Sequence, residues 1–80
     1  MSEEPREIDL TKEVVKNQFQ FIDEAIERAT LGVSTTIATH ERIVATYALP
    51  NAVTSRIRCR VVPDDQGSIL RIPFMPRAPA

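Results

Sequence analysis

A single cysteine, Cys59, leaves this chain of 80 residues without an internal disulfide or a cysteine-based metal knuckle. One histidine, His40, accompanies it. About twenty residues separate the two, on different expected elements, so no first coordination shell for a metal can be assembled. His40-Glu41 matches the opening of a zincin helix, but the second histidine would have to stand where Val44 is. His40 is therefore read as an ordinary interhelical or surface residue, and Cys59 as a small buried hydrophobe.

Glycine is scarce too. With only Gly32 and Gly67 there is no phosphate-cradling loop. Tryptophan is absent and Tyr47 is the only tyrosine, so no aromatic interleaves the arginines as a stacking platform for single strands requires. No apolar run approaches the roughly 18 residues of a membrane span. The N-terminus "MSEEPREIDL" is acidic and lacks the apolar core of a signal peptide. A lone thiol suits a reducing compartment, and a cytoplasmic location is expected. The carboxylates sit on a solvated helix and form no catalytic constellation. Neither an enzyme acting alone nor a cofactor is expected.

Shortness has its own consequence. A chain of this size buries only about 60% of the surface its unfolded form exposes. Without staples it is expected to be a homo-oligomer or a subunit bound to a larger protein partner.

What the sequence does have is a split of charge. Residues 1–41 carry nine acids and four bases, a net of −5, while residues 42–80 carry six arginines against Asp64 and Asp65, a net of +4. The halves attract each other, within or between chains, or the basic half meets an external anion. Eight of the ten bases are arginine. A GC-rich genome accounts for that as simply as does arginine's forked hydrogen bonding to carboxylate or phosphate.

Residues 1–8 read as a flexible acidic leader. Asp9 is a candidate N-cap, and Val15, Phe19, Ile22, Ile26, Ala29 and Val33 follow at intervals of 4, 3, 4, 3 and 4. That spacing predicts an amphipathic helix over about 10–31, ended by Gly32. Val14, Phe21 and Ala25 widen the stripe. Phe21 is large to leave wet, so Val15, Phe19, Phe21, Ile22 and Ile26 are the expected oligomer interface. Residues 33–49 fit either a helical stripe (Ile37, His40, Val44, Tyr47) or an alternating strand (Ile43, Ala45, Tyr47, Leu49). Length and charge favour a second helix over about 35–49, stopped by Leu49-Pro50-Asn51; the threonines favour a strand.

The last third reads as a hairpin, with strands over about 55–62 and 68–74 around "PDDQG". Matching the apolar faces pairs Val62 with Ile69, Cys59 with Ile72 and Ile57 with Phe74, and closes the loop Asp64-Asp65-Gln66-Gly67. Arg56, Arg58, Arg60 and Arg71 then line the other face, with Arg60 directly across from Arg71. Like charges so placed destabilise a ribbon. Carboxylates from residues 13–27 are the expected counter-charge. Residues 75–80 form an extended, proline-rich tail.

The fold class expected is α+β, with one or two N-terminal amphipathic helices packed against a C-terminal antiparallel β-hairpin in a single domain over residues 9–74. The function expected is that of a small non-catalytic oligomeric adaptor or accessory subunit. It would bind a protein partner through the apolar helix face and the arginine-lined hairpin. The alternative is a nucleic-acid-binding protein that uses the arginines as a β-ribbon in a groove.

Overall fold

The seam that begins at Val15 forms a helix, α1 (Val15–Thr30), in the computed structural model, which describes residues 6–77. Ile22, Ala25, Ile26 and Ala29 on its inner stripe are buried. It starts at Val15 rather than Leu10 because Asp9 does not cap it. The Asp9 carboxylate accepts the Thr11 amide at 2.9 Å and the Thr11 hydroxyl at 2.6 Å, closing an Asx turn. That turn drops Leu10 into the core, with its amide on the Ala38 carbonyl at 2.8 Å. At the far end Gly32 does act as the glycine cap, at φ 94°, and the Val33 amide reaches back to the Arg28 carbonyl at 2.8 Å.

Two expectations fail on either side of α1. Residues 6–8, read as leader, belong to strand β1 (Arg6–Asp9); residues 1–5 of that leader lie outside the described residues. The single helix over 35–49 divides into strand β2 (Thr35–Thr39) and helix α2 (Arg42–Thr54). The β-branched run Thr35-Thr36-Ile37 decides the first part. It lies in the middle of a sheet, where Thr35, Ile37 and Thr39 are all buried, and strand pairing overrides the helical spacing.

α2 runs straight through Pro50, where the sequence argued for its end. The proline ring cannot donate to the Thr46 carbonyl. Thr46 and Pro50 are exposed, so water reaches the orphaned group. Side chains brace the same turns: Asn51 Nδ2 donates to the Tyr47 carbonyl at 2.7 Å, and the Thr54 hydroxyl to the Pro50 carbonyl at 3.0 Å. A proline inside a helix costs about 3 kcal/mol relative to alanine, less the entropy it removes from the unfolded chain. Pro50→Ala is accordingly expected to stabilise the domain by about 1–2 kcal/mol in urea unfolding; a destabilised variant would mean that the ring packs against something.

Three more strands complete the sheet: β3 (Arg58–Cys59), β4 (Val62–Pro63) and β5 (Leu70–Met75). The order is β1-β2-β5-β3, with β4 also beside β5; β1 runs parallel to β2, and every other pairing is antiparallel. The domain is thus α+β, with a mixed five-stranded sheet where a lone hairpin was expected. Both helices pack on one face. Ile37, Ile72 and Phe74 point there and are fully buried, together with Val44 and Ala48 of α2.

The hairpin register is offset by two from the expected one. Cys59 pairs with Phe74, and Val62 with Arg71. An offset of two preserves which side chains share a face. The loop keeps its four residues but moves one along, to Asp65–Ser68, because Asp64 belongs to its base. The Asp64 carboxylate accepts the Ser68 amide at 2.9 Å, and its own amide donates to the Ile69 carbonyl at 2.9 Å. The break between β3 and β4 has a cause as well. Continuing the register puts Arg60 across from Pro73, and a proline facing that strand has no N–H to give it.

A buried polar chain ties the helices to the sheet. The Glu41 amide donates to the Thr39 hydroxyl at 3.0 Å, that hydroxyl donates to Gln18 Oε1 at 2.5 Å, and Gln18 Nε2 donates to the Glu13 carbonyl at 2.8 Å. Gln18 and Thr39 are both buried.

Candidate functional site

Strand alternation sorts the sheet residues onto two faces. The helix-covered side takes Ile8, Ile37, Ile72, Phe74 and Cys59. The open side takes Glu7 and Asp9 from β1, Thr36 and Ala38 from β2, Arg71, Pro73 and Met75 from β5, and Arg58 from β3. Arg60, across from Pro73, shares the open side. The open face therefore runs from carboxylates on β1, past Thr36 and Ala38 of β2, to guanidinium groups on β5 and β3.

Arg58, Arg60 and Arg71 are together on this face, as the hairpin pattern implied. Arg56 is not on a strand. It follows α2 in a left-handed turn at φ 60°, the Ile57 amide reaching back to the Ala52 carbonyl at 3.2 Å. Glycine is the residue that suits this helix-ending position; a side chain there costs roughly 1–2 kcal/mol. Arg77, read as part of a loose tail, joins the cluster. Arg56, Arg58 and Arg77 line a shallow hollow of about 290 Å³ with Val53 and Ile57. Arg58 and Arg60 line another of about 210 Å³, with Pro73 and Met75 as its apolar side.

The counter-charge is not where the sequence argument placed it. Arg71 stands across from Val62, not Arg60, and its Nε meets Glu7 Oε1 at 3.2 Å on the half-exposed open face. Glu7 lay in the supposed leader, so nothing in the sequence marked it as a partner. Of the carboxylates of residues 13–27, Asp23, Glu24 and Glu27 belong to α1, on the other side of the sheet, and Glu13 lies just before it. Among the described residues, Arg56, Arg58, Arg60 and Arg77 make no ion pair.

The oligomer-interface residues are also placed differently. Ile22 and Ile26 are interior, at 0% and 7% exposure, so they are spent on the chain's own core. Val15, Phe19 and Phe21 pack against that core while half-buried, and the Phe19 ring meets Tyr47 edge-on at 4.8 Å between centroids. The Tyr47 hydroxyl donates to Asp23 at 2.7 Å, which raises its pKa. The large apolar side chains that do remain exposed are Ile43, Leu49 and Val53 on α2, Val14 and Leu31 at the two ends of α1, and Val62 on β4.

His40 is exposed, with Nδ1 2.8 Å from the Ser68 carbonyl, a contact that pins the hairpin loop. Cys59 is half-buried, and burial pushes its thiol up to about 11. From an ordinary 9.0, that leaves about a hundredfold less thiolate at neutral pH. Iodoacetamide is expected to modify the native chain about a hundredfold more slowly than the urea-unfolded one; equal rates would place the thiol in water. The folded chain also holds this proton where the unfolded one releases it. The thiol's contribution to stability is thus full below about pH 9 and is lost as pH rises towards 11, a loss that Cys59→Ser removes.

No helix among the described residues is long and apolar enough to cross a membrane. No family model matches the chain, and comparison with curated proteins and with solved structures finds no match to it.

Proposed function

We propose that this protein is a small, non-catalytic binding module whose arginine-lined sheet edge receives an extended, acidic segment of a protein partner. The observation that carries the reading is the cluster of Arg56, Arg58, Arg60 and Arg77, without a carboxylate beside it among the described residues. Arg56 adds weight. A side chain kept at a left-handed position that favours glycine costs stability, and such residues concentrate where a surface has work to do.

The edge also offers main-chain groups. Asp64 turns its amide toward β5, and alternation along the strand turns the N–H and C=O of Cys59 and Val61 outward. An added strand can bond to those groups while its alternate carboxylates meet Arg58 and Arg60. The apolar helix face, half of the expected binding surface, is left out of this reading because the core consumes it.

Nucleic acid is the second reading, favoured by the same unneutralised guanidinium groups. Two features weigh against it. A phosphate backbone crossing the open face would meet Glu7 and Asp9, and the ring of Phe74 faces the core, away from the arginines. The test is a titration with an alternating Glu-Val peptide and with random duplex DNA and RNA at low salt. The peptide is expected to bind, and Arg58→Ala with Arg60→Ala to weaken it about tenfold. Arg56→Gly should weaken binding while stabilising the fold by about 1 kcal/mol, which separates the two roles of that position. Duplex binding that falls steeply with salt, and whose slope flattens in Arg60→Ala, would reverse the ranking.

A further inference from the structure

We infer that the acidic strand received by the arginine edge is β1 of a second copy of this chain. The inference rests on the proposed reading of that edge. The two ends of the sheet are complementary in charge, in direction and in hydrogen bonding. β1 carries Glu7 and Asp9 at alternate positions on the open face, and β3 with the residue after it carries Arg58 and Arg60 on the same face. Two hydrogen bonds from Thr11 hold the Asp9 carboxyl below its ordinary pKa, so it is ionised at neutral pH. Glu7 uses one oxygen on Arg71 and remains about half exposed.

Direction follows from the topology. β1 is parallel to β2, β2 is antiparallel to β5, and β5 is antiparallel to β3, so both edge strands run the same way. A copy moved sideways past the end of the sheet therefore meets it in parallel, with its helices on the same side.

The hydrogen bonds then fall into place. The amides of Arg6 and Leu10 donate to Ser34 and Ala38, so the alternate residues Glu7 and Asp9 turn their own N–H and C=O outward. On the opposite edge the outward groups are the Ile57 carbonyl, both groups of Cys59, and the Val61 amide; the Ile57 amide is already taken by Ala52. Setting Glu7 beside Arg58 and Asp9 beside Arg60 uses these groups in the evenly spaced pattern of a parallel ladder. It also lays Ile8 next to Cys59 on the helix side. An antiparallel approach would instead turn Glu7 and Asp9 toward the helix side, away from the arginines. The contact joins unlike edges, so it propagates into an open helical array or a closed ring. β1 spans four of the described residues, and so short a contact makes the association weak, concentration-dependent and sensitive to salt.

Sedimentation velocity over a concentration series tests this on the full chain. Wild type is expected to self-associate at low salt and dissociate at high salt. Arg58→Glu and Glu7→Arg each place like charges together, and each should weaken self-association at least about tenfold. Mixed together they restore opposite charges at every junction, and association should return. Circular dichroism of each variant confirms that it is folded. Wild type that stays monomeric at roughly millimolar concentration, or variants that associate as wild type does, would overturn the pairing. The acidic peptide titration runs in parallel. If wild type is monomeric yet binds the peptide, only the identity of the partner fails; if it does neither, the reading of the edge fails with it.

Discussion

Phe74→Ala is expected to remove most of the stability of this domain. Phe74 is fully buried in β5, with Thr35 of β2 on one side and Cys59 of β3 on the other. Truncating a buried phenylalanine costs about 3–5 kcal/mol, the lost transfer energy plus the cavity left behind. Small domains hold only about 5–10 kcal/mol in total, so the variant should be partly unfolded at body temperature. Urea unfolding followed by circular dichroism measures it directly. Phe74→Leu, which keeps most of the volume, should lose about 1–1.5 kcal/mol. A cost below about 1 kcal/mol for the alanine variant would mean that the core is not centred on β5.

Thr39→Val has the next largest expected effect. The substitution keeps the shape and deletes one hydroxyl, which accepts the Glu41 amide and donates to Gln18. The buried Gln18 carbonyl oxygen and the part-buried Glu41 amide lose their partner at once. Each orphaned group costs about 1–3 kcal/mol, so a loss of about 2–4 kcal/mol is expected. Gln18→Met should cost less than the valine change, since it orphans the Thr39 hydroxyl but frees the Glu13 carbonyl toward water. The double variant should fall at least about 1 kcal/mol short of the summed costs, because both changes break one chain of bonds. Strict additivity would show that Gln18 and Thr39 act independently.

The parts of the fold that could be read from the sequence are those with strong, local periodicity. The seam of α1 and the glycine cap at Gly32 follow from spacing alone. So do the two faces of the hairpin, since alternation fixes parity even where it leaves the offset free. The offset depended on Asp64, whose carboxylate organises the loop from its base, and composition does not reveal such a bond. β1 was hidden because four residues with three charges read as solvated chain until β2 lies alongside. β2 was hidden because Ile37 also fits a helical stripe, and Pro50 hid the second half of α2. For the site, the arginine face was legible and its neutralisation was not. Glu7 is 64 residues from Arg71 in the chain, and only the parallel crossover from β1 to β2 brings them together.

The position of β5 has a consequence for how the protein is made. Among the described residues this strand is the last element in the sequence, yet it lies inside the sheet and is the only strand paired with β3 and β4. Until it leaves the ribosome, β2 has no strand neighbour among the described residues but β1, the arginine segment lacks the strand it pairs with, and both helices lack Ile72 and Phe74 beneath them. The part of the core built on Ile72 and Phe74 therefore cannot form ahead of β5. The sheet closes only once β5 has been made, with the β2–β5 pairing closing a loop of some thirty-five residues.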